Sequence, residues 1–177
     1  MKRYLGIAFV MFLFACNNAE NKSTNSKDTS LVSNADTTSM PLSFSDKKVE
    51  QIYTDYITLK DALVASDYDV SKSAAKTLAS SLKTYAGCEN TAITAGKIET
   101  AKDIATQRVE FTALNSDVIA LFKHAAIVKG TIYVQHCPMA NKGEGGDWLS
   151  SEKKIQNPYY GSEMMECGAV LEEIKAK

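Results

Sequence analysis

The fold is decided by residues 49–63, which read VEQIYTDYITLKDAL. The large apolar side chains of this stretch recur every three or four residues, so they share one face of an α-helix. They are Val49, Ile52, Tyr53, Tyr56, Leu59 and Leu63. Ser45 or Asp46 precedes them and can cap the helix. The folded part of the chain is therefore expected to begin with an amphipathic helix.

Two further helical regions are expected downstream. Asp69 can cap a second helix, whose apolar positions run from Ala74 to Tyr85 and stop before Gly87, a residue suited to a helix end. A third region is expected from about residue 94 to residue 125. No proline interrupts these patterns, which favours helices in antiparallel order.

The pattern changes after Gly130. Residues 132–135, IYVQ, have the composition of a short strand, although Gly130 could also simply end the preceding helix. Glycines and a turn at residues 157–161 follow, and a last helix is expected from Ser162 to Ile174. The sequence thus predicts a mainly α fold. It is an up-down antiparallel bundle of about four helices with an irregular C-terminal Cys/Met segment, in which a short β-strand is one option.

The N-terminus has the pattern of an export signal. Lys2 and Arg3 precede an uncharged apolar run from Leu5 to Ala15, which is too short to span a bilayer. Residues 13–16, LFAC, resemble the bacterial lipobox, and this resemblance implies that residues 1–15 are removed and that Cys16 is acylated. The alternative is an ordinary signal peptide with a chance cysteine. We expect a membrane-anchored protein of the cell envelope that faces the periplasm.

Residues 16–42 are rich in Asn, Ser, Thr, Asp and Lys, a composition that predicts a disordered tether. Residues 43–177 are enough for one domain. The whole chain has 20 basic and 21 acidic residues, and the part without Lys2 and Arg3 is more negative. Since nucleic-acid binding requires a basic face, no nucleic-acid partner is expected.

Sulfur is concentrated in two short segments of the last third. Beyond residue 42, every methionine and two of three cysteines fall in residues 136–139, HCPM, and 164–168, MMECG. Thiolates and thioethers are the ligands that monovalent copper prefers. The sequence therefore predicts a site for copper(I) or silver(I) within residues 130–170. Its candidate ligands are Cys137, Met139, Met164 and Cys167, with His136 and Met165 in reserve.

Periodicity suggests how the four ligands could converge. In an extended segment Cys137 and Met139 would point to the same side, with His136 on the other. In a helix Met164 and Cys167 would share a face. The alternative is a structural disulfide between Cys137 and Cys167, which an oxidising compartment permits.

The remaining chemistry-bearing residues favour less specific roles. Cys88 is expected to be a small buried residue at a helix end, and His124 a surface histidine in a last helical turn. No base is placed to activate Cys137, so no enzyme is expected. If the disulfide forms, a loop carrying Trp148, Tyr159 and Tyr160 could instead meet a protein partner or an organic ligand.

The segments YVQHCPMA (133–140), DWLS (147–150), IQNPYYG (155–161) and MMECG (164–168) resemble a bacterial family. It is a domain of unknown function found in envelope lipoproteins and appended to adaptor subunits of heavy-metal efflux pumps. The resemblance is specific over about 130–170 and weaker over the helices. The family commonly has an aromatic residue before Cys-Pro-Met, where this chain has His136. The resemblance implies copper or silver handling and efflux-pump components as partners. The expected function is metal sequestration or delivery to an efflux system.

Overall fold

The computed structural model describes residues 41–176. The expected signal peptide (1–15), the lipidated Cys16 and the tether up to residue 40 lie outside the described residues. In chain order the structure contains β1 (Ser43–Phe44), α1 (Lys47–Val64), α2 (Tyr68–Lys83), α3 (Glu89–Thr100), α4 (Ile104–His124), β2 (Ile127–Lys129), β3 (Thr131–Cys137), α5 (Ala140–Gly143), β4 (Gly146–Ser150), a 3₁₀ turn (Gly161–Glu163) and β5 (Ala169–Lys175).

Aspartates fix where three of the long helices begin. Asp46 accepts a hydrogen bond from the N–H of Lys48 at the start of α1, as expected. Asp67, not the expected Asp69, caps α2 by accepting from the N–H of Val70. Asp103 caps α4, and the chain is extended at Ala101 just before it. The expected single helix of residues 94–125 is therefore two helices, because a cap and an extended residue interrupt it.

The mainly helical expectation is confirmed, and each long helix packs against the next one along the chain. Buried aromatic rings tie α1 to α4. Tyr56 stacks on Phe111 with ring centroids 5.8 Å apart, and Tyr53 meets Phe122 edge-on at 5.1 Å. The predicted stripe of α1 lies in this core, since all six of its apolar side chains are buried.

The C-terminal segment forms a three-stranded antiparallel sheet in the order β4-β3-β5. The strand expected at residues 132–135 is confirmed as part of β3. The expected helix from Ser162 to Ile174 is wrong, because a single 3₁₀ turn ends at Glu163 and β5 takes its place. Gly168 has φ +148°, which no α-helix accommodates, and the free edge of β3 offers backbone partners to the residues after it. β1 and β2 form a separate two-stranded pair.

No helix within residues 41–176 is both long and apolar enough to cross a membrane.

Candidate dithiol site

The two cysteines of the sulfur-rich segments lie side by side. The Sγ atoms of Cys137 and Cys167 are 2.9 Å apart, although 30 residues separate them in the chain. Both are free thiols; Cys137 is fully buried and Cys167 is partly exposed. The pair therefore has one sulfur in the core and one that solvent or a metal ion can approach.

Cys137 is positioned by the central strand of the sheet. It is the last residue of β3, where it pairs with Gly146 of β4. A side chain at Gly146 would collide with the ring of Tyr159, so only glycine lets β4 come this close. The sheet thus holds Cys137 on its inner side, next to the aromatic core.

Cys167 is positioned by a buried asparagine. The side-chain amide of Asn157 donates to the carbonyl oxygen of Cys167 over 2.9 Å, and its Oδ1 accepts from the N–H of Tyr159 at 2.8 Å. The N–H of Asn157 also donates to the carbonyl oxygen of Met165. One fully buried side chain and its backbone therefore hold the loop that carries the second thiol.

Arg108 supports this loop from α4. Its Nε donates to the carbonyl oxygen of Pro158 at 2.8 Å, while Nη2 donates to the carbonyl oxygen of Leu63 and to Ser66 Oγ. Burial lowers the pKa of the guanidinium, and the carboxylate of Glu163 opposes that shift. Arg108 thus joins the turn before the dithiol to the end of α1.

The neighbouring sulfur favours the protonated form of the Cys167 thiol. The hydrogen bond with Cys137 is the main cause that raises the pKa of the Cys167 thiol, and partial desolvation adds to it. A backbone hydrogen bond from Met139 acts in the opposite direction by stabilising the thiolate. A cation placed between the sulfurs would have to displace their protons.

The methionines are not placed as predicted. Cys137 ends β3 and Met139 lies in the turn beyond it, so the two do not share a strand face as expected. Met164 and Cys167 are joined by a turn, with the N–H of Cys167 donating to the carbonyl oxygen of Met164, and they do not share a helix face. Met139 is 52% exposed, and Met164 and Met165 are partly buried. Each lies two or three residues from a cysteine.

His136 does not join the dithiol. Neighbouring residues of a strand point to opposite faces, and the His136 ring lies against Asp147, with Nδ1 2.7 Å from Oδ1. Its place as a reserve ligand is therefore not favoured by the strand geometry. In the part of the chain that the structure describes, no three His, Cys, Asp or Glu side chains form a group able to hold a metal ion.

The expected partner surface is wrong for two of its three residues. Trp148 is fully buried and Tyr159 is 6% exposed, and their rings meet edge-on in the core. Tyr160 is partly exposed, but its hydroxyl donates to the carbonyl oxygen of Met139. These aromatic residues build the wall behind the dithiol instead of an exposed face.

A chain of buried hydrogen bonds connects this wall to the helices. The hydroxyl of Tyr56 donates to Asn115 Oδ1 and accepts from the N–H of Leu149. Asn115 Nδ2 donates to the hydroxyl of Tyr159, which donates to the carbonyl oxygen of Asp147. Burial raises the pKa of Tyr159 to about 12, so the network remains neutral. The helical scaffold thus fixes the sheet through polar contacts as well as apolar ones.

Sequence reasoning missed Asn157 and Arg108 as positioning residues. Asn157 carried a local signal, since Asn before Pro is typical of a turn. Arg108 carried none, because its acceptors lie 42 to 50 residues away in the chain. Cys88 is buried at the start of α3 and His124 is exposed in the last turn of α4, where both were expected.

Comparison with known proteins gives a family match. Neither a curated protein nor a solved structure matches the chain. Residues 52–130 match a family model described as "Protein of unknown function (DUF3347)". The matched stretch covers most of α1 and continues through β2, whereas the resemblance noted from the sequence was most specific over about 130–170. The match confirms that the chain contains a domain of unknown function, and this domain is the helical scaffold that carries the dithiol segment.

Proposed function

We propose that this protein is an envelope lipoprotein whose Cys137/Cys167 dithiol binds Cu(I) or Ag(I), for sequestration or for delivery to an efflux system. The observation that carries the proposal is the pairing of the two thiols across 30 residues of chain. Thioether side chains at residues 139, 164 and 165 lie two or three residues from one of these cysteines in the chain. This donor set is the one that soft monovalent ions prefer.

The spacing of the sulfurs requires them to move apart before an ion can lie between them. Two sulfurs at about 2.3 Å from a shared tetrahedral metal ion lie roughly 3.7 Å apart, whereas a disulfide requires about 2.05 Å. The separation of 2.9 Å lies between these values. Cys167 sits in a partly exposed loop, so it can make the outward movement while β3 keeps Cys137 fixed.

The same geometry supports a second candidate function. Cys137 and Cys167 could close a disulfide that staples the loop before β5 to the core of a binding module. Closing a loop of this length would contribute roughly 3–4 kcal/mol in the chain-entropy model. Exchange with an external disulfide would pass two electrons and two protons from the pair to that disulfide, which becomes two thiols, and would leave only thioethers for a metal ion.

Native mass spectrometry of the purified full chain with Ag(I) under reducing conditions tests the first candidate. We expect one retained silver ion in the wild type and in Cys88→Ser, which removes a thiol far from the pair in sequence. Cys167→Ser should lose the ion, and because Cys167 is partly exposed this variant should still fold. Retention in Cys167→Ser, or no silver in the reduced wild type, would reject the dithiol site.

Thiol counting separates the second candidate from the first. One sample of the protein is unfolded without reductant, and its free thiols are alkylated and counted. A second sample is reduced first and then treated in the same way. A gain of two thiols on reduction, together with no silver adduct of the reduced protein, would establish the staple and exclude the metal site.

A further inference from the structure

A small groove lies between α1 and α2, and neither cysteine of the dithiol lines it. Its volume is about 240 Å³. The side chains that line it are Asp55, Thr58, Val70, Ser73, Ala74 and Thr77. The methyl groups of Val70, Ala74 and the threonines give it apolar walls, and only Asp55 brings a charge.

Asp55 is unusually buried for a carboxylate. It is 7% exposed, and its two oxygens accept from Gln51 Nε2 at 2.9 Å and from Ser81 Oγ at 2.5 Å. Among residues 41–176 it forms no ion pair. A carboxylate has about four acceptor positions, so neutral donors occupy only part of its capacity. A ligand that carries positive charge and donates hydrogen bonds would complement this carboxylate.

The hydroxyl groups of the groove have already donated their protons. Thr58 Oγ1 donates to the carbonyl oxygen of Thr54, Ser73 Oγ to that of Asp69, and Thr77 Oγ1 to that of Ser73. A hydroxyl has one proton but two acceptor lone pairs. Each of these oxygens can therefore only accept from a ligand. The groove offers acceptors, one negative charge and apolar walls.

We propose that this groove binds a small primary alkylammonium ion. The three N–H donors of the ammonium group match the carboxylate and hydroxyl acceptors, and a short alkyl chain matches the walls. This site is independent of the metal proposal, since it lies on the helices and uses no sulfur.

Isothermal titration calorimetry of the full chain with n-butylammonium chloride tests the proposal. We expect saturable binding in the millimolar range, with at least a tenfold loss in Asp55→Asn. Glu110→Gln, which removes one negative charge from α4 outside the groove, should bind like the wild type. Circular dichroism confirms that each variant is folded.

Further variants and ligands make the test specific. Thr77→Val keeps the shape of the side chain but removes an acceptor, so it should weaken binding several-fold without unfolding the chain. Tetramethylammonium, which has the positive charge but no N–H donor, should not compete with butylammonium for the groove. Ethanolamine, the head group of some aminolipids, has a shorter chain that ends in a hydroxyl group, so it should bind more weakly than butylammonium.

Any of three results would overturn the proposal. The first is that butylammonium shows no saturable binding to the wild type. The second is that the wild type, Asp55→Asn and Thr77→Val bind butylammonium equally well, and the third is that tetramethylammonium binds as well as butylammonium. Tighter binding of ethanolamine than of butylammonium would contradict the part assigned to the apolar walls.

Discussion

The side-chain amide of Asn157 holds the carbonyl oxygen of Cys167 at 2.9 Å, so a buried residue outside the sulfur motif sets the position of the more exposed thiol. The same side chain accepts from the N–H of Tyr159. Asn157 thereby fixes the loop that carries Cys167 relative to the buried aromatic residues. The position of the dithiol thus depends on a residue that is not among the proposed metal ligands.

Replacing this asparagine should loosen the loop. Asn157→Ala leaves the carbonyl of Cys167 and the N–H of Tyr159 without their partner, which should cost about 1–3 kcal/mol. Urea unfolding measures this loss, and the rate of Cys167 alkylation in the folded protein should rise. Asn90→Ala, at an exposed position of α3, should change neither quantity. An unchanged alkylation rate in Asn157→Ala would show that Asn157 does not position Cys167.

Two glycine substitutions should change the free energy of unfolding in opposite directions. At Gly168 the φ of +148° is strained for alanine, and a Cβ would lie 2.6 Å from the carbonyl oxygen of His136. Gly168→Ala should therefore destabilise the protein by about 1–3 kcal/mol. At Gly96 in α3 a Cβ meets nothing within 4 Å, so Gly96→Ala should stabilise by about 0.5–1 kcal/mol. Thermal unfolding compares the two, and equal effects would contradict this account.

The hydroxyl group of Tyr56 should contribute to the free energy of unfolding in addition to the packing of the ring. Tyr56→Phe keeps the stacking on Phe111 but leaves the buried N–H of Leu149 and the Oδ1 of Asn115 without a partner. A loss of about 1–3 kcal/mol is expected in urea unfolding. Tyr85→Phe, which removes a hydroxyl from a half-buried tyrosine, serves as the matched control and should be nearly neutral. Equal stability of both variants would show that the hydrogen bonds of Tyr56 do not stabilise the fold.

Silver affinity should rise with pH. The pKa of the Cys167 thiol is raised, mainly by its hydrogen bond with Cys137, so at neutral pH an ion must displace protons from the pair. Between about pH 6 and pH 8 the apparent affinity should increase about tenfold per pH unit for each proton released. Competition titrations measure the slope. Cys167→Met, which offers a thioether without a proton, should reduce the slope by one, and a flat wild-type profile would point to thioethers as the ligands.

The helices could be predicted from the sequence because their apolar residues recur with the period of a helix. The stripe from Val49 to Leu63 is buried as expected. The break before α4 was missed, since apolar residues continue across it and only the Asp103 cap marks it. Boundaries of this kind depend on one side chain and its hydrogen bond.

The C-terminal segment was harder to predict. Residues 169–175, AVLEEIK, fit a helix as well as a strand, and pairing with β3, more than 30 residues earlier in the chain, decides between them. The convergence of Cys137 and Cys167 was expected, but the shared faces with Met139 and Met164 were not found. Those faces assumed a continuous strand and a helix where the chain has turns.

We propose that Cys137 and Cys167 bind one soft metal ion together. Anomalous scattering from a crystal of the reduced protein soaked in silver tests it most directly. We expect one strong silver peak within bonding distance of both Sγ atoms, with the sulfurs farther apart than 2.9 Å. Silver bound only elsewhere, or no silver beside two intact thiols, would contradict it.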